Sequence, residues 1–355
     1  MTQTINEVAI VTRQLSRSFS IRQKSEGLAA SLRNFFSPVY KTVNAVCDLE
    51  MSIGRGEIIG FLGPNGAGKT TTLKMLSGLL VPSSGNIEVL GFTPFNRDHD
   101  FLKSISLVMG QKQNLWWDLP PVETFEIHRR IYGLSDEQYR TRIDELVEML
   151  EISDCLETQT RKLSLGQRMR CELAVSLLHQ PSILFLDEPT IGLDILMQKK
   201  IRSFLLDYHR RFKPTILLTS HYMDDVAALA QRVIVINHGC KIFDGRLRDL
   251  TDHMRPEKIM TVIINNGEFP CQIRDGCRLI HQEGQLYRFL VRREVVGELA
   301  ACLYNTGQIA DLTIEDAPLE EIIGQLFTDN GAGAAVSASG QGSTISTPAD
   351  RKSVV

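Results

Sequence analysis

Apolar and polar residues alternate loosely over 7–21 and again over 42–53, the rhythm of strands buried on one face. Between them, EGLAASLRNFF (26–36) sets Leu28, Leu32, Phe35 and Phe36 at helical spacing, which predicts an inserted helix. EIIGFL (57–62) reads as a short strand. A glycine-rich turn follows, and KTTTLKMLSGLL (69–80) then predicts a helix ending near Gly78. PSSGNIEVLGF and ISLVMG (105–110) read as further strands, and 121–156 is mostly helical. SILFLD (182–187), TILLTS (215–220) and RVIVIN (232–237) are apolar runs separated by helical stretches. That is the pattern of buried parallel strands in an α/β sheet.

The pattern shifts near residue 250. KIMTVIIN, LYRFLV and IADLTI predict strands, and VVGELAACLYNTG (295–307) predicts a helix stopped by glycine, together a small α+β unit over 251–329. Residues 330–355 are Gly, Ala, Ser and Thr with few large apolar residues, a composition that predicts a disordered tail.

Composition then narrows the function classes. With 355 residues, the chain can bury one large core or two modest ones. Its formal net charge of -3 gives no global basic surface, so nucleic acid is not an expected partner. No apolar run reaches the roughly 18 residues that span a bilayer. MTQTINEVAI lacks the basic start and apolar stretch of a signal peptide. The seven cysteines are scattered with no CxxC pair, which predicts reduced thiols in a cytoplasm.

Two segments carry chemistry. Gly63-Pro64-Asn65-Gly66-Ala67-Gly68-Lys69-Thr70 fits GxxxxGK[ST] between a predicted strand and helix. Glycines let backbone N–H groups turn inward on a phosphate, the helix N-terminus adds positive potential, and Lys69 supplies a mobile charge. Thr70 is then a candidate Mg²⁺ ligand. An Asn-Gly turn with a coincidental lysine is the plain alternative, and the strand–turn–helix context argues against it. Asp187 and Glu188 end the strand SILFLD, where one carboxylate can hold Mg²⁺ and the next can polarise an attacking water. Alone, they would read as an ordinary strand end.

Taken together, these segments resemble the nucleotide-binding subunit of an ABC transporter, over roughly residues 7–250. GPNGAGKTT matches that family's first nucleotide motif, including Thr71, and ILFLDEPT its second. LSLGQ (163–167) matches the signature usually written LSGGQ, with Leu165 in place of a glycine. GLD (192–194), Ser220-His221 after a strand, and Gln111 after ISLVMG complete the order. Tyr40, 23 residues before Gly63, stands where the family places an aromatic that stacks on adenine.

The resemblance implies a P-loop NTPase of the ABC type over 1–250, with a RecA-like core, an antiparallel β subdomain and a helical subdomain. It implies ATP and Mg²⁺ as ligands. Glu188, His221 and Gln111 become the catalytic candidates, and Thr70, Gln111 and Asp187 the metal candidates; Gln113 is the rival for the lid position. It also implies a head-to-tail dimer, in which Ser164, Gly166 and Gln167 meet the ATP of a second subunit, and an integral membrane permease as partner. The protein would then sit at the cytoplasmic face of the cell membrane, held there by the permease.

The wording around the motifs is closest to ABC-2 type exporters, with an importer ATPase or a soluble ABC ATPase acting on ribosomes or DNA as alternatives. Leu165 is expected to be harmless unless its backbone needs positive φ. Trp116 and Trp117, the chain's two tryptophans, are expected to point one inward and one toward the groove that receives the permease. The 26–36 helix could pack on its own domain, lie at the membrane, or dock on the partner.

Overall fold

The computed structural model describes residues 8–22, 40–110, 114–220, 222–254, 257–265, 269 and 275–316, with 251–254 described as backbone. The expected helix at 26–36 and the tail at 330–355 lie outside the described residues.

The centre is a six-stranded sheet with the order β5-β6-β7-β3-β8-β9. Its strands are β3 (Ile58–Leu62), β5 (Ile105–Met109), β6 (Ile183–Asp187), β7 (Thr215–Thr219), β8 (Arg232–Asn237) and β9 (Cys240–Arg246). All neighbours are parallel except β8 and β9. Every residue of β6 and of β7 is buried, as a sheet covered on both faces requires. The two-residue period decides which core each side chain joins. Leu184, Leu186, Ile216 and Leu218 enter one cluster, while Ile183, Phe185 and Leu217 enter the other.

The first cluster lies under α5 (Leu165–Leu177) and α6 (Ile195–Phe212), with α3 (Pro121–Tyr132) and α4 (Asp136–Leu150) closing its edge. The second lies under α1 (Lys69–Leu76) and a three-stranded antiparallel sheet with the order β2-β1-β4. That sheet comprises β1 (Val8–Arg22), β2 (Tyr40–Gly54) and β4 (Ser84–Val89). The short α2 (His99–Ser104) buries Phe101 here. Between Thr12 and Leu15 the β1–β2 register slips, and Gln14 has φ +49. The Thr12 hydroxyl repairs part of the broken ladder: it donates to Leu49 O (2.9 Å) and accepts from Met51 N (3.1 Å).

Beyond α7 (Met223–Leu229) and α8 (Leu247–Met254) comes a second antiparallel sheet with the order β11-β12-β10-β13. It is formed by β10 (Glu257–Ile264), β11 (Cys277–Glu283), β12 (Leu286–Arg292) and β13 (Ile309–Asp316). Met260, Val262 and Ile264 pack with Tyr287, Phe289 and Val291 against Leu299 and Leu303 of α9 (Arg293–Thr306). Gly307 ends α9 in the left-handed conformation, as its sequence predicts. The proposed division of the chain near residue 250 rests on this separate cluster. β11 has a mostly exposed burial pattern and carried no apolar rhythm to announce it. Among the described residues, Cys47, Cys155, Cys171, Cys240 and Cys277 are free, while Cys302 on α9 is disulfide-bonded and so departs from the expected reduced thiols. Among the described residues, no helix is long and apolar enough to cross a membrane.

Thr12→Val keeps the shape of the side chain but removes the hydroxyl that Leu49 O and Met51 N bond. The expected loss is about 1–3 kcal/mol of unfolding free energy in a urea titration, with the denaturant slope unchanged.

Candidate functional site

β3 sits between β7 and β8 in the sheet and delivers the chain into the loop 63–68. Two glycines in that loop have no substitute on steric grounds. A Cβ on Gly63 would lie 2.4 Å from Ile236 O, and one on Gly68 would lie 2.3 Å from Ala45 O with φ at +104. Gly66, at φ +80, has open space where its Cβ would be. Asn65 and Gly66 are exposed, Ala67 is buried, and Gly63, Pro64, Thr70 and Thr71 are half-buried. Gly68 caps α1 without any side-chain hydrogen bond, and the first turn of α1 holds no acidic residue. Its N-terminal donors therefore face the loop with no carboxylate of their own turn to meet them.

Lys69 folds back over the loop, donating to Gly63 O (2.7 Å) and Pro64 O (3.2 Å) while only 6% exposed. Burial lowers its pKa, and nearby Glu188 and Asp187 act in the opposite direction. A buried ammonium held by neutral carbonyls, beside a helix N-terminus with no acidic residue in its first turn, fits a polyphosphate.

The two carboxylates predicted from SILFLD arrive at the same place. Asp187, the last residue of β6, accepts from Thr70 Oγ1 at one oxygen (2.8 Å) and from Thr219 Oγ1 at the other (2.7 Å). A buried carboxylate beside a threonine hydroxyl is a hard-oxygen donor set, which suits Mg²⁺ held by few protein ligands. Glu188 follows with φ +56, a left-handed backbone. Its N–H is held by Thr219 O and Thr219 Oγ1, both at 3.1 Å.

Ser164 lies elsewhere, as N-cap of α5. Its hydroxyl accepts from Gln167 N (3.2 Å), and Gln167 Oε1 accepts from Ser164 N (3.0 Å), a reciprocal capping box. Leu165 is the first helical residue and is absent from the positive-φ positions, so it carries no backbone strain. Its Cδ2 would lie 3.2 Å from a Cβ on Gly192, and Met197 carbons would lie 3.0 Å from a Cβ on Gly166. The signature thus packs on its own GLD turn. Among the described residues, no hydrogen bond joins Ser164, Gly166 or Gln167 to the loop 63–68. Tyr40 opens β2 and is 59% exposed. Gln111, its rival Gln113, and His221 lie outside the described residues.

The tryptophan expectation needs correction. Trp116 and Trp117 are 55% and 47% exposed, so neither fills the core. The backbone before them is held instead. Buried Glu172 of α5 accepts from Asn114 N (2.9 Å) and Leu115 N (3.1 Å), and the Arg168 guanidinium lies 5.4 Å from the Trp117 ring centre. Burial raises the pKa of Glu172, while these two N–H groups and Arg168 pull it down. Sequence reading missed Glu172, although a charge inside the apolar run CELAVSLL was a usable sign. It also missed Thr219, which nothing distinguished from the rest of TILLT.

A family model described as "ABC transporter" matches residues 46–191. The chain is similar to the ABC transporter ATP-binding protein NatA of Bacillus subtilis (strain 168), at 35% identity over 230 residues, covering 65% of this chain and 93% of that one. It is also similar to a Nod factor export ATP-binding protein I of Cupriavidus pinatubonensis (strain JMP 134 / LMG 1197), at 36% identity over 269 residues, 74% of this chain and 77% of the other. Among solved structures, cbiO1 from Clostridium perfringens, part of the ABC transporter complex cbiONQ, matches with a TM-score of 0.56 and 25% identity. That match covers 69% of this chain and 91% of cbiO1.

Glu172→Ala should free the loop before the tryptophans, at about 2 kcal/mol for the unpaired N–H groups. Because the chain has two tryptophans and both are in this loop, the effect is readable as greater acrylamide quenching of intrinsic fluorescence. Glu172→Gln, which keeps an acceptor, should quench nearly as the wild type does.

Proposed function

The chain belongs to the ABC transporter family as an ATP-binding subunit and ATPase, and we propose that it powers export through a separate membrane subunit of the ABC-2 type. The observation that carries the catalytic part is the Thr70–Asp187 hydrogen bond, 2.8 Å, which puts the phosphate loop and the carboxylate pair in one site. Support for export comes from the relative named as a Nod factor export ATP-binding protein.

In this reading, ATP lies on the loop from Gly63 to Gly68 with its adenine on Tyr40. Lys69 leaves its carbonyl acceptors for the β- and γ-phosphates, and Thr71 adds a contact beside it. Thr70 and Asp187, with Gln111, would hold Mg²⁺, which neutralises phosphate charge when bound. Glu188 orients and polarises the water that attacks the γ-phosphorus, and His221 contacts the γ-phosphate as the bond to ADP breaks. Ser164 and Gly166 cap the ATP of a second subunit in a head-to-tail dimer. Their position supports this, since Ser164 is exposed at a helix N-terminus and unconnected, among the described residues, to its own phosphate loop. Gln167 serves that contact indirectly, through the capping box. Exposed Trp116 and Trp117 offer an aromatic anchor to the membrane subunit, which would hold the protein at the cytoplasmic face.

Glu188→Gln should retain ATP binding, lose turnover by at least ~100-fold, and run as a dimer on a sizing column equilibrated in ATP. A monomer under those conditions would overturn the head-to-tail arrangement, and retained turnover would overturn the role of Glu188. Trp117→Ala should keep the ATPase rate of the purified chain within about twofold while reducing co-purification of a membrane protein from crosslinked native membranes. Equal recovery from wild type and variant would remove the tryptophan from the interface.

A further inference from the structure

Asp225, on α7, is fully buried and has its carboxylate shared among three side chains from three different elements. Its Oδ2 accepts from the Thr190 hydroxyl and from Ser220 Oγ (2.8 Å), and its Oδ1 accepts from Arg202 Nη1 of α6 (3.0 Å). Thr190, Ser220 and Arg202 are themselves buried. The Ser220 hydroxyl also accepts from Tyr222 N (3.0 Å), and Asp225 N donates to Tyr222 O (3.1 Å). Ser220 and Tyr222, which follow β7, are thereby tied to one carboxylate.

The position of these partners gives the network its meaning. Thr190 stands two residues after Glu188, and Ser220 directly follows Thr219, whose carbonyl and hydroxyl hold the Glu188 N–H. The turn carrying Glu188 is thus fastened to the end of β7 at two points, one on each side of Pro189. Glu188 needs both. A glutamate in the left-handed region costs roughly 1 kcal/mol and persists where its surroundings over-determine it. Arg202 pairs with Asp225 and so balances the carboxylate inside the protein, where it holds two hydroxyls.

We propose that Asp225 is a positioning residue for ATP hydrolysis: by holding the Thr190 and Ser220 hydroxyls, it clamps the turn after Glu188 onto the end of β7 and fixes the left-handed backbone of Glu188. The proposal rests on Glu188 being the residue that orients water. Asp225 itself touches no substrate in this scheme. Loosening the clamp leaves the phosphate loop intact, so its effect falls on turnover and not on ATP affinity.

Replacing Asp225 would strand Arg202 in the interior and endanger the fold, so the test acts on the hydroxyls. Steady-state ATPase is measured on the full purified chain carrying Thr190→Val, Thr190→Ser, Ser220→Ala or Glu188→Gln, with binding of a fluorescent ATP analogue measured in parallel. Thr190→Val and Ser220→Ala are expected to lower kcat by about tenfold with KM and analogue affinity within about twofold, and Thr190→Ser, which restores the hydroxyl, is expected to recover most of the rate. A kcat within about twofold of wild type for both Thr190→Val and Ser220→Ala, while Glu188→Gln abolishes turnover, overturns the clamp alone. Equal losses in Thr190→Val and Thr190→Ser also overturn it, because the hydroxyl is then not the cause. Turnover that survives Glu188→Gln overturns the clamp together with the reading of Glu188 on which it stands.

Discussion

The structure turns on one carboxylate. Asp187 ends a strand buried along its whole length, and a charge there is tolerated only if neighbours satisfy it. Thr70 from α1 and Thr219 from β7 do so, one at each oxygen, with Lys69 near enough to be influenced electrostatically. The same bonds fasten the phosphate loop to the sheet. β3 and β6 are not adjacent, since β7 lies between them. Asp187 is thus the device that spans the gap across β7. The location also follows from topology: after β3 the chain builds β5, β6 and β7 on one side, then crosses to add β8 on the other. Loops at the carboxyl ends of strands diverge at such a point, leaving a crevice.

A strained backbone position immediately follows that carboxylate. Glu188 takes a positive φ that its side chain disfavours, and the surrounding contacts are correspondingly tight. Gly110 is one of them. A Cβ there would sit 2.3 Å from Glu188 O, and Gly110 N already donates to Asp187 O at 2.8 Å. The strand that leads toward Gln111 is thereby pressed against the turn that carries Glu188, with only a glycine able to occupy the contact. Movement of either segment is felt by the other.

How much of this was legible depended on whether a residue's role is local. The phosphate loop and the carboxylate pair are short-range patterns whose physics fits within a few residues, and both were readable. Parallel strands were readable too, because burial on both faces leaves continuous apolar runs such as ILFLD and TILLT. Thr219 and Asp225 were not, since a threonine inside TILLT and one of two consecutive aspartates acquire meaning only from partners that the fold brings to them, Asp187 for the first and Thr190, Arg202 and Ser220 for the second. The tryptophans misled for the opposite reason. Large aromatic residues predict burial, yet here Glu172 anchors the backbone beside them, so their side chains are not needed to hold the loop. Leu165 could be judged only once its φ was known, and its helical geometry removes the strain that a replaced glycine suggested.

α5 joins the two ends of the proposed transport cycle. Its N-terminus carries Ser164, and Glu172, eight residues on, grips the backbone ahead of the exposed tryptophans. Between them the helix is a rod of about 12 Å at 1.5 Å per residue. Helices of this length transmit displacement without absorbing it, because shortening them would break backbone hydrogen bonds along the way. Arg168, over the Trp117 ring, adds a second attachment half-way along. In the proposed dimer, a force that ATP exerted on Ser164 from a second subunit would reach the tryptophan loop through one rigid element fixed at three points. The phosphate loop of the same chain lies outside this path. Each ATP would then act on two subunits in different ways: through Asp187 and Glu188 it is hydrolysed, and through the opposing α5 it moves the surface offered to the membrane partner.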